Sequence, residues 1–196
     1  MMNTKNFLFI ASVILLNSCT IRGFFSDYKH LTEEEKTKIH FIETNEDICK
    51  LKKDGKIYAI TGHQLNNCVA KNEKVMIYQW VPHCHGETCY PLSHVQKYCN
   101  SHGLDFYVVA SYYDAKRMFA EQENIDMPLF SINENYYKAK IRSRYTKLFM
   151  RDLLKDKKLT KEIWWHTSFV FNNGKLVDSR IIMEDENAGE LKTIEF

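Results

Sequence analysis

The chain has no strong charge of either sign, no internal repeat and no low-complexity segment. Its 27 basic and 25 acidic residues leave a formal net charge of +2. With no block of Lys or Arg, that balance leaves no electrostatic footprint for nucleic acid, and none is expected as a partner. A long apolar run is also lacking: Phe7 to Leu16 falls short of the roughly 20 helical residues a bilayer demands. A secretory signal is therefore expected there rather than a membrane span. The remainder is globular in composition, 44% hydrophobic and 13% aromatic over 196 residues, enough for one domain of ordinary size with a leader.

The leader ends in Leu16-Asn17-Ser18-Cys19, after a weakly positive start at Lys5. This ending resembles the lipobox of bacterial lipoproteins, in which the cysteine becomes the lipidated N-terminus. The resemblance implies that residues 1–18 are removed, that Cys19 carries the lipid, and that the domain faces the periplasm from a membrane of the cell envelope. An ordinary signal cleaved elsewhere would instead leave Cys19 an odd thiol. In either case export makes disulfides permissible. Residues 19–47 read as a polar tether holding one short helix around Leu31 to Ile39, with a capping box from Thr32 to Glu35. His30 and His40 are assigned no role.

From residue 48 to 196 the pattern is that of one domain. Short extended runs at Cys49 to Leu51 and Lys56 to Thr61, divided by Asp54-Gly55, suggest a hairpin. Cys49 and Cys68 flank it, either as a bridge or as buried free thiols. The stretch Lys74 to Cys99 is the centre of the reading: a β-branched and aromatic run, Pro82, two cysteines framed by histidines, then Pro91 and a helical pattern. Asp105 to Tyr113 reads as a strand buried on both faces. Asp114 caps a helix to about Gln122, and Met127 to Ile132 is extended. Asn133 to Lys155 reads as a long basic helix. Thr167 to Phe171 and Leu176 to Ile182 flank the turn Asn172-Asn173-Gly174 as a hairpin, and a tail with some helical character follows. This order predicts an α/β fold, a central mixed sheet with helices on both faces.

A reactive cysteine pair delivered by a strand to the start of a helix resembles the thioredoxin-like redox site. Trp80-Val81-Pro82-His83-Cys84 resembles the approach to that site, where a tryptophan stands four residues before the first cysteine. Phe169 to Lys175 resembles the strand and turn after the family's cis-proline. The similarity covers about residues 70–185, and the TlpA-like membrane-anchored thiol–disulfide oxidoreductases are the relatives it suggests. It implies that Cys84 is the attacking thiol and Cys89 the resolving one, that no cofactor is needed, and that the partners are proteins bearing thiols or disulfides.

Three departures qualify the resemblance. The spacing is Cys-x4-Cys, and five residues of regular helix rise about 7.5 Å, beyond the roughly 7 Å that bridged Cα atoms allow. His85-Gly86-Glu87-Thr88 must therefore fold as a loop, which Gly86 permits. Alignment on the final turn puts His166 in the cis-proline slot. Tyr78 stands where the family has a buried acid, leaving Glu87 or a histidine to move protons. A rival resemblance follows: Sco-type copper chaperones use a short-spaced cysteine pair and a distant histidine, implying Cys84, Cys89 and His166 as copper ligands. His83 and His85 are either further ligands or solvated loop residues. A third reading is a non-catalytic binding module in which the pair is only structural. His94 and His102 read as surface residues, Cys99 as core, and Trp164-Trp165 as packing or a peptide-docking surface.

Overall fold

The computed structural model describes residues 23–84 and 89–180. The expected signal, Cys19, His85 to Thr88, Ile182 and the tail lie outside them. One seven-stranded mixed sheet organises the fold, in the order β1-β2-β5-β4-β3-β6-β7. Its strands are β1 (Ile39–Phe41), β2 (Ile57–Ile60), β3 (Lys74–Trp80), β4 (Asp105–Ala110), β5 (Leu129–Ile132), β6 (Ser168–Asn172) and β7 (Lys175–Arg180). The first five are parallel; β6 runs antiparallel to β3, and β7 to β6.

Strand alternation sorts the core into two layers. Met76, Tyr78 and Trp80 of β3 join Phe106, Val108 and Ala110 of β4 on one face. Val75 and Ile77 join Tyr107 and Val109 on the other. Helices cover both faces, as expected. The first face holds α3 (Leu92–Ser101), whose Leu92, Val95, Tyr98 and Cys99 point inward, and α4 (Ala115–Glu123) through Ala115 and Met118. The second holds α2 (Gly62–Val69) through Leu65, Cys68 and Val69, and α6 (Arg142–Leu154) through Tyr145, Phe149, Met150 and Leu153. Short helices α1 (Glu33–Thr37), α5 (Glu134–Tyr137) and α7 (Lys157–Ile163) complete the described chain. No described helix is long and apolar enough to cross a membrane.

Several local expectations are met. Thr32 and Glu35 form the capping box of α1. Asp114 caps α4, its Oδ1 accepting from the Arg117 N–H at 3.1 Å. The final hairpin turns on Asn173 and Gly174, both at positive φ (47° and 75°), which fits the turn favoured between twisted strands. Cys49 and Cys68 are bridged.

Other elements differ from expectation. Residues 48–50 form a 3-10 turn rather than the strand of a hairpin, because the Asp47 side chain accepts from the Cys49 N–H and the disulfide ties Cys49 to α2. The partner of β2 at that edge is instead β1, lent by the segment expected as a tether. The expected helix from Asn133 to Lys155 is two helices. Lys138 adopts a left-handed conformation (φ 49°) that ends α5, and the chain restarts at Arg142.

Removing the Cys49–Cys68 bridge by a double Ala substitution should lower stability by about 3 kcal/mol. Its 19-residue separation makes this measurable as a shift in denaturant midpoint; an unchanged midpoint would show that the bridge constrains nothing.

Candidate functional site

β3 is an interior strand, between β4 and β6, and ends at Trp80, which is buried in the core layer under α3 and α4. Beyond it Val81 to Cys84 turn back on themselves, the Cys84 N–H donating to the Val81 carbonyl at 3.0 Å. Two outside groups fasten this turn. The His83 N–H donates to the Tyr112 hydroxyl at 2.9 Å, and the Arg117 Nη1 donates to the Pro82 carbonyl at 3.0 Å. The His83 ring lies parallel to that of Tyr112 and pairs through Nε2 with Asp114 Oδ2. Asp114 thus caps α4 with one oxygen and holds the site turn with the other.

Cys84 and Cys89 form a disulfide with Cα atoms 5.7 Å apart. That separation is shorter than the rise of five residues of regular helix. Cys84 is exposed and Cys89 half-buried. Two residues after Cys89, Pro91 is the N-cap of α3, one place before the first helical position. The pair therefore sits between the C-terminal end of β3 and the N-terminal end of a ten-residue helix.

Both cysteines line a cleft of about 330 Å³. Tyr78, Tyr90 and Pro91 line it beside the pair, Arg117, Ala120 and Glu121 enter from α4, and Thr167 from the position just before β6. Burial pushes the Tyr78 phenol up to about 12, so it stays protonated near neutrality. The Tyr112 phenol is also raised, first by burial. Among the described residues Glu121 is the carboxylate that lines the cleft.

His166 does not line this cleft. Its Nδ1 lies 3.0 Å from Ser179 Oγ, and its ring meets Trp165 edge-on and stacks along Phe169. The neighbouring Thr167 lines the cleft instead, and its carbonyl accepts from the Gln79 N–H at 2.7 Å, in line with the strand that delivers the cysteines. Among the described residues the metal-sized group of His, Cys, Asp and Glu is Asp47, Cys49 and Cys68. Its two sulfurs are joined to each other, and Asp47 pairs with Lys71. Cys99 is a buried core thiol pushed up to about 12 by burial. Trp165 is exposed while Trp164 packs against the second core layer.

Arg117 and Glu121 are not singled out by the sequence, which marks Asp114 only as a helix cap. The signal was present, since positions 117, 120 and 121 share one helical face, but only the sheet order shows that this face overlooks the cysteines.

No protein-family model, no curated protein and no solved structure matches this chain.

Proposed function

We propose that the chain is a thioredoxin-like thiol–disulfide exchanger of the bacterial cell envelope, anchored by a lipid on Cys19, with Cys84 attacking and Cys89 resolving. One observation carries this: an exposed Cys84 joined to a half-buried Cys89 at the mouth of a cleft, between an interior strand and a helix N-terminus. The thiolate is the nucleophile in exchange, and the unpaired N–H groups at a helix N-terminus favour a thiolate over a thiol. The thioredoxin-like reading is supported by the parallel unit β3–α3–β4 and by the antiparallel hairpin β6–β7 on the other side of β3.

The exchange balances as follows. The Cys84 thiolate attacks one sulfur of a substrate disulfide, forming a mixed disulfide and releasing a substrate thiolate. The Cys89 thiolate then attacks the Cys84 sulfur, closing the internal bridge and releasing the second substrate thiolate. The substrate gains two electrons and the pair loses two. Arg117 adds a positive charge to the cleft, and Glu121 is the described carboxylate placed to exchange protons with the thiols. The Sco-like copper reading draws no support from His166, whose ring lies against Trp165 and Ser179.

The direct test is dithiothreitol-driven reduction of insulin, comparing the full chain with Cys84→Ser. The wild-type chain should accelerate precipitation of the insulin B chain, and the variant should fall to the uncatalysed rate. Equal rates would remove Cys84 from the chemistry.

A further inference from the structure

The positive charge of this chain is concentrated in one place. Between Arg142 and Ile163 there are eight basic residues against three acidic ones, in a chain whose net charge is only +2. These residues form α6 and α7, on the sheet face opposite α3 and α4. The helices enclose a groove of about 320 Å³ bordered by Arg144, Lys147, Arg151, Lys157 and Lys161, with Leu148 and Thr160 between them.

The nearby acids pair with one of these five cations. Asp152 takes Arg151 at 3.5 Å, and Asp156 is occupied in capping α7, accepting from the Leu159 N–H at 2.8 Å. Glu162 lies exposed on α7. Among the described residues Arg144, Lys147, Lys157 and Lys161 make no ion pair. Like charges held around one concavity raise the local potential and attract anions.

An exposed apolar cluster adjoins the same helix. Phe24 and Phe25 are 52% and 40% exposed, and Ile141, the N-cap of α6, is 40% exposed. Phe25 and Ile141 form a β-bridge, and the Arg142 N–H donates to the Phe24 carbonyl at 2.9 Å. Ile141, Arg144, Leu148 and Arg151 fall three or four residues apart, on one side of the helix. Exposed aromatic and branched side chains beside a row of cations are the composition of surfaces that lie in a bilayer interface.

We infer that this face, from Phe24–Phe25 along α6 to the α6–α7 groove, docks on the surface of a membrane rich in anionic lipid. The inference rests on the Cys19 reading in one respect. If Cys19 carries the lipid, Gly23 is four residues away, at most about 14 Å of extended chain, so the Phe24 end must lie at the headgroups. A second copy meeting the same face would set cations against cations. A nucleic acid would engage the cations and leave Phe24, Phe25 and Ile141 unused.

The test is lysine footprinting by acetylation of the full chain, read by mass spectrometry. The chain is placed on phosphatidylglycerol-rich vesicles and, separately, on pure phosphatidylcholine vesicles. Labelling of Lys147, Lys157 and Lys161 should fall several-fold on the anionic vesicles alone and recover in high salt. Labelling of Lys97, exposed on α3, should not change. The double variant Lys147→Glu, Lys157→Glu should lose the anionic preference, and Lys97→Glu should keep it. Equal labelling on both vesicles overturns the inference, as does protection that grows with protein concentration without vesicles, which would assign the face to a second copy. The intact mass of the same sample reads acylation separately. An acylated chain with equal labelling refutes the docking face and spares the anchor; an unacylated chain protected only on anionic vesicles refutes the anchor and spares the face.

Discussion

Reduced Cys89→Ser protein mixed with a disulfide-bearing substrate is expected to accumulate as a covalent complex through Cys84, whereas Cys84→Ser should form none. The asymmetry follows from exposure. Cys84 stands in the open at the end of the site turn, and Cys89 is half-buried behind it, two residues before the N-cap of α3. If the pair exchanges disulfides as proposed, a protein-sized disulfide meets the more exposed residue first, so attack is expected at Cys84. Without the Cys89 thiolate the mixed disulfide has no internal route to release. Non-reducing electrophoresis with mass spectrometry of the adduct checks this, and turnover in both variants should fall to background because each lacks one of the two steps. An adduct trapped equally well through Cys89 would reverse the assigned roles. Full activity in either variant would make the pair a structural bridge.

The outline of this site was readable before its surroundings. Trp80-Val81-Pro82-His83-Cys84 and the helix after Pro91 are close in sequence, so the strand, turn and helix carry local signals that agree. The hairpin turn at Asn173-Gly174 is equally local. What could not be read depends on distant pairing. β1 is three residues long and has no partner until β2 arrives beside it. Lys138 breaks the expected helix without any Gly or Pro to announce it. A strand register settles whether His166 or Thr167 meets the cleft, and a shift of one position exchanges the two. The closer neighbours of the cysteines, Arg117 and Glu121, come from α4, whose sequence resembles any amphipathic helix until β4 places it over the turn. The capping box of α2, Thr61 with Gln64, is a local signal of the same kind.

A large effect on stability is expected at the start of that helix, from Gly62→Ala. A Cβ added there would stand 2.1 Å from the Phe149 carbonyl oxygen, 2.8 Å from the Leu153 nitrogen and 3.0 Å from Asp152 Cβ. The first two are backbone atoms of α6, so no side-chain rotation relieves the clash, and the helix itself would have to move. It is poorly free to do so. Phe149 and Leu153 are buried at 2% and 0% exposure in the second core layer. The Asn66 side chain donates to the Leu153 carbonyl at 2.7 Å, and the Gly62 N–H donates to the Tyr137 hydroxyl at 2.8 Å. Prying α2 and α6 apart would strain the Asn66–Leu153 bond, while the bond to Tyr137 of α5 holds the start of α2 in place. Overpacking of this kind costs about 3 kcal/mol, which for a domain of this size lowers the melting temperature by about 10 °C. Asn67→Ala on the exposed side of α2 is the control and should leave the midpoint nearly unchanged, since alanine suits a helix at least as well as asparagine. A Gly62→Ala protein that melts with the wild type would mean that the two helices are not in contact at this point. A large drop with insulin reduction per folded molecule intact would separate the α2–α6 clamp from the cysteine cleft across the sheet.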